Sequence, residues 1–233
     1  MIPLGRIFGV QVKLHPIFLA VLALVFVSVG RSHGWSSSAL MLVRMLVLFT
    51  LVLLHELGHS LMAKRLGIHV YDIILWPLGG MARVAPIEKP IRHELPIALA
   101  GPAVNLLLFL ALWPFADEFP SRQALAGGSL IDFALTANLL MAVFNLAPAF
   151  PMDGGRVVRA LLTARFSYVS ATRIAARLGR ALAVSFAALM MIMHAGHTEE
   201  IALVLLIAAF LYFAGRAEER QVLLRTALPP DAA

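Results

Sequence analysis

Three side chains near the end of the first quarter of the chain are of types that act together in chemistry. His55, Glu56 and His59 stand in residues 51–64, Leu-Val-Leu-Leu-His-Glu-Leu-Gly-His-Ser-Leu-Met-Ala-Lys. On a helix, residues four apart share a face, so both imidazoles point the same way. His-Glu-x-x-His is the spacing at which one helix offers two nitrogen ligands to a zinc ion. The glutamate then sits where it can take a proton from a water on that ion. Water activated in this way hydrolyses amides. The setting is apolar, and ionisable groups in a bilayer are costly and mark function. The competing reading makes His55 and His59 packed helix-interface residues and Glu56 their buried partner.

Composition sets the class. Of 233 residues, 61% are hydrophobic and 14% charged, against roughly 45–50% apolar in soluble domains. This is the composition of a polytopic membrane protein. With no cysteine in the chain, any metal must be held by His, Asp or Glu. The net charge of +6 lies in short segments between apolar runs, a membrane-topology pattern that argues against nucleic acid.

Several elements must position the motif. Residues 1–15 read as a short amphipathic lead, and residues 16–30 as a first span that is retained rather than cleaved as a signal peptide. The second span, residues 39–63, carries the motif and ends at Lys64-Arg65, while Arg44 is placed to snorkel at the opposite interface. Residues 66–96 differ. Ile68, Val70, Ile73, Ile74, Leu75 and Trp76 are strand formers ahead of the turn signal Pro77-Leu78-Gly79-Gly80. A small membrane-associated hairpin or sheet is expected there. Its edge must be covered or paired, and it could pair with an extended substrate; an ordinary interfacial loop is the alternative.

Residues 97–115 form the third span. Asn105 lies inside it and must face protein, water or a ligand. A fourth span, residues 129–146, contains Asn138 and ends at Asn145. The chain then reads Asn145-Leu-Ala-Pro-Ala-Phe-Pro-Met-Asp153-Gly-Gly-Arg156. Pro148 and Pro151 stop regular helix, and Gly154-Gly155 permit close backbone approach. Asp153 is the best available third ligand, because a catalytic zinc takes three protein ligands; it reads equally as the N-cap of a helix starting at Gly154. Arginine-rich residues 156–180 suggest one or two amphipathic helices at the interface. Residues 181–193 and 201–215 complete about six spans. His194 and His197 read as loop residues, and residues 216–233 as a flexible tail. With both termini in the cytoplasm, basic residues gather on the inside, and His59 and Asp153 fall in the same leaflet.

Taken together, His55-Glu-Leu-Gly-His59 and the Asn145 to Gly155 stretch resemble the site-2 protease family of intramembrane zinc metalloproteases. Ala100-Gly-Pro-Ala-Val-Asn105 and the lead from Gly5 through Pro16 resemble it too. The likeness covers residues 5–215 and is nearest the small bacterial branch that includes the sporulation protease. It implies a single protease domain with its catalytic core at about residues 39–166. It implies one zinc ion on His55, His59 and Asp153, with Glu56 as general base and acid. The sheet would hold substrate in extended form. Asn105 and Asn145 become candidates for the oxyanion or the substrate backbone, though Asn145 could equally cap a broken helix end. A chain of this length is expected to carry neither a CBS nor a PDZ domain. The implied partner is a single-span membrane protein, such as an anti-sigma or pro-sigma factor, in the bacterial cytoplasmic membrane. A non-enzymatic metal transporter or inactive homologue is the rival. It should show acids along several spans or a lost ligand, whereas the spans here hold Glu56 and, near one end, Asp132.

Overall fold

A computed structural model of the chain describes residues 1–77, 79–86, 90–193 and 198–227. The chain divides into two units, Met1–Glu88 with Ala100–Val143, and Lys89–Leu99 with Phe144–Ala233.

In the first unit, the short amphipathic lead takes a regular form. It forms two strands, β1 (Ile2–Ile7) and β2 (Val10–Leu14), which pair with β3 (Val70–Trp76) and β4 (Gly79–Val84) in one sheet of order β1-β2-β3-β4. The outer pairs are antiparallel, while β2 and β3 run parallel with Gln11 opposite Asp72 and Leu14 opposite Leu75. Alternation places Val10, Val12 and Leu14 on the buried face with Ile73. Asp72, 1% exposed, ties three strands together: Lys13 Nζ of β2 lies 2.6 Å from its carboxylate, and Arg83 of β4 approaches within 2.5 Å. The hydrogen bonds from Arg83, and then those from Lys13, hold its pKa down at about 2 against the opposing effect of burial.

A parallel pair needs a long crossover, and here it consists of α1 (Pro16–His33) and α2 (Trp35–Arg65). Phe18 of α1 meets Phe49 of α2 edge to face, with ring centroids 4.3 Å apart. Leu51 of α2 packs with Ala134 and Ala137 of α5 (Leu130–Leu146). The third long helix, α3 (Leu95–Leu112), follows a π-helical turn at Pro90–Glu94. Arg44 does not snorkel. It is buried, with its guanidinium donating to the carbonyls of Ala126 at 2.6 Å and Gly128 at 2.7 Å, at the end of α4 (Arg122–Ala126). Those terminal carbonyls have no helical partner, and the arginine supplies one.

The second unit holds α6 (Asp153–Leu162), α7 (Tyr168–Met193) and α8 (Thr198–Ala227). The arginine-rich stretch, residues 156–180, is divided between α6 and the start of α7, and its second part runs without a break into the span after it. The buried side of α7 is made of small residues, including Ala171, Ala175, Ala176, Gly179 and Ala183, which lets neighbouring backbones approach. Helix α8 continues to Ala227, so the expected tail is helical that far, and Glu218 and Glu219 pair with Arg159 and Arg180. The residues His194 and His197 lie outside the described residues.

Among the described residues, four helical segments are long and apolar enough to cross a membrane: Pro16–His33, Trp35–Arg65, Ile91–Phe115 and Tyr168–Met193. Helix α5 is apolar and slightly shorter.

Candidate metal centre

Helical geometry brings the two histidines together on α2. Their Nε2 atoms are 3.1 Å apart, and both residues are about 5% exposed or less. That separation is a hydrogen-bond distance, and it turns both nitrogens toward one point, as two ligands of a single cation would be turned. Space for them depends on glycine. A Cβ on Gly101 of α3 would overlap the His59 ring and stand 2.7 Å from His55 Cε1. Gly58, one turn along α2, faces the Ala100 carbonyl so closely that a Cβ would come within 2.7 Å of its oxygen.

Asn105 of α3 is fully buried, and its Oδ1 lies 2.6 Å from His55 Nδ1. Its amide nitrogen donates to Asn138 Oδ1 at 3.1 Å and approaches Met141 Sδ at 3.5 Å. Asn105 thus finds the protein partner that its place in a span demanded, and that partner is the first histidine of the motif.

Glu56 points toward the sheet. Its Oε2 accepts from the backbone N–H of Ala82 on β4 at 3.0 Å, and Gly80 on the same strand leaves room for its side chain.

In the second unit, Asp153 is the first residue of α6 and is buried. Met152 occupies the N-cap position, so Asp153 is not the cap that its sequence context allowed. A Cβ on Gly154 would collide with the carbonyls of Leu146 and Ala147, and one on Gly155 would stand 2.8 Å from the Phe150 nitrogen. The two glycines therefore let α6 start hard against the loop before it. Arg156, one turn on, lies 3.8 Å from Asp153 Oδ1 and 3.7 Å from Glu94. Arg159 is buried between Glu94, which it contacts very closely, and Glu218 at 2.6 Å. Asn145 is half-buried at the end of α5.

Sequence reasoning named His55, Glu56, His59, Asn105, Asn145 and Asp153. Asn138 stands out in the sequence only as a polar residue in a span, and the Gly80, Ala82 and Gly101 contacts emerge only in the structure. A polar side chain in an apolar helix was the available signal for Asn138. The donor chemistry fits zinc: two imidazoles and one carboxylate, all buried, each with one ligand atom to offer.

The chain thus combines a two-histidine helix, long and apolar enough to cross a membrane, with a small four-stranded sheet. The model of Peptidase family M50 matches residues 43–124 and 123–186. A zinc metalloprotease of Methanocaldococcus jannaschii is 36% identical over 225 residues, which is 97% of this chain and 62% of that protein. Stage IV sporulation protein FB of Bacillus subtilis is 26% identical over 165 residues, 70% of this chain and 52% of that protein. The chain thus spans between half and two thirds of the length of these relatives. A solved structure, the site-2 protease from M. jannaschii, superposes with a TM-score of 0.64 at 33% identity, covering 94% of each chain. This chain belongs to Peptidase family M50 and has the site-2 protease fold.

Proposed function

We propose that the chain is an intramembrane zinc metalloprotease that hydrolyses peptide bonds in or near the membrane span of a membrane-protein substrate. The observation that carries this reading is on α2: two buried imidazoles with converging Nε2 atoms, and a carboxylate between them in sequence, on a helix long enough to cross a bilayer. His55, His59 and Asp153 are the ligands in this reading. A bound zinc ion lowers the pKa of water toward ~7 and polarises the amide carbonyl.

The chain's own residues do the rest. Glu56 takes a proton from the attacking water and delivers it to the leaving amide nitrogen as the C–N bond breaks. Asn145 is the candidate donor to the tetrahedral oxyanion. Asn105 was a second candidate, but its amide is engaged by His55, Asn138 and Met141, so we read it as a partner of the ligand. A helical substrate hides its amides in its own hydrogen bonds and must unwind before attack. Strand β4 is a sheet edge beside the base, which supports binding of the unwound segment as an added strand.

Helices α1, α2, α3, α5, α7 and α8 would supply six spans, with both termini in the cytoplasm of a bacterial cell. The basic ends support that orientation, Lys64 and Arg65 closing α2 among them. A single-span anti-sigma or pro-sigma factor is the substrate type that the family resemblance suggests, and the sporulation relative's name is in keeping with it. The transporter reading has less support, because Asp132 is taken up by the amides of Asp117, Glu118 and Ser129.

Co-reconstitution with a single-span substrate tests the assignment. Glu56→Gln should keep its zinc and lose cleavage; cleavage retained by that variant would remove Glu56 from its role and overturn the mechanism.

A further inference from the structure

Asn138 is fully buried in α5, and its side-chain amide is locked to the backbone. Its Nδ2 donates to the carbonyl of Ala134, one turn earlier, at 2.9 Å. A carbonyl only accepts, so that contact fixes which end of the Asn138 amide is nitrogen. The oxygen end must then face Asn105, whose Nδ2 donates to it at 3.1 Å. That contact fixes Asn105 in turn, and its Oδ1 is the end 2.6 Å from His55 Nδ1. An amide oxygen cannot donate, so His55 Nδ1 must carry the proton. A neutral imidazole with Nδ1–H has an unprotonated Nε2, and Nε2 is the atom that converges on His59. From one backbone carbonyl outward, the donors and acceptors run in a single direction through both amides to His55 Nδ1.

We propose that Asn138 is a positioning residue for the metal site. It turns the Asn105 amide so that its oxygen meets His55, and thereby holds His55 as the Nδ1–H tautomer with Nε2 ready for a cation. The proposal rests on the reading of His55 as a ligand. Outer partners of this kind orient metal-bound histidines and typically carry roughly 10–100-fold in metal affinity.

The test is zinc affinity of the full chain in detergent, measured by competition with a chelator. Asn138→Leu should weaken zinc about tenfold and Asn105→Leu about 10–100-fold. Combining them should be no worse than Asn105→Leu alone, because the two act in series. Asn105→Asp discriminates orientation from packing. Either carboxylate oxygen accepts from Nδ1–H, so this variant needs no turning and should bind within a few-fold of the wild type. In that background Asn138→Leu should have little further effect. If it is as damaging there as in the wild type, Asn138 serves packing and the proposal fails. Wild-type affinity in Asn138→Leu would also overturn it, while the metal reading would stand. Wild-type protein that binds no zinc would overturn the metal reading itself. Should Asn138→Leu fail to fold, Asn138→Ser, which keeps an acceptor for Asn105, must bind zinc more tightly than Asn138→Ala; equal affinities would contradict the relay.

Discussion

The carboxylate of Glu56 accepts a hydrogen bond from the backbone N–H of Ala82 at 3.0 Å, so a helix residue that reads as the catalytic base is held by a strand 26 positions later. Two residues before Ala82, Gly80 faces the same side chain. A Cβ there would stand 2.5 Å from Glu56 Cγ and 3.1 Å from Val52 Cγ1. Gly80→Ala should therefore displace the base without touching the histidines. A displacement near 1 Å costs roughly 100-fold in turnover. Cleavage rate and zinc content, measured together, should show a large fall in the first and none in the second. An unchanged kcat would contradict this role for β4.

Gly101 makes the complementary prediction. Its missing Cβ is what lets α3 lie against both imidazoles. Gly101→Ala should lower zinc content and cleavage together, whereas Gly80→Ala lowers cleavage alone. Metal analysis of the purified variant beside the wild type decides it, and full zinc occupancy would count against the packing described.

Much of the α2 site was legible because its information is local. A spacing of four and an apolar surround suffice to place His55, Glu56 and His59 on one helix. The need for Asn105 to meet a polar partner was equally legible, but not which partner. That depends on how α3 lies against α2, which Gly58 and Gly101 permit. The sheet was half legible. Strand formers and a turn marked β3 and β4, while Val10, Val12 and Leu14 alternate in β2 without naming a partner. That partner lies beyond two helices, and local pattern carries no record of a parallel pairing so remote. Arg44 was misplaced for the same reason, since the carbonyls it caps stand more than 80 residues away. The arginines of α7 read as interfacial because their periodicity is amphipathic; the small residues on the opposite side continue the helix into its apolar half.

Asp72 gives the sheet a pH dependence with a definite sign. Its folded pKa of about 2 lies below the ordinary aspartate value of 3.8, so its pairing stabilises the protein above pH 3.8 and is lost as pH falls toward 2. Asp72→Asn should destabilise on the order of 1 kcal/mol at neutral pH, a modest figure because Arg83 is half exposed and water screens the pair. Denaturation followed from neutral to acid pH should show the two proteins converging between about pH 4 and 2. A gap that stays constant over that range would rule out the ion pairs as its source.

Arg44→Leu should cost about 1–3 kcal/mol, because it removes two hydrogen bonds from a charged donor to the carbonyls of Ala126 and Gly128. Arg44→Lys should recover only part of this, since one ammonium cannot reproduce a planar fork that spans both carbonyls. Thermal unfolding in detergent distinguishes the cases. Full stability in Arg44→Leu would mean that water or lipid headgroups serve those carbonyls instead.

The most direct test of the account is the metal content of detergent-purified wild type, His59→Ala and Asp153→Ala. About one zinc per chain in the wild type, lost in both variants, is the expected result. Zinc that survives the loss of Asp153 would contradict the three-ligand assignment, and a well-folded wild type without metal would contradict the protease reading as a whole.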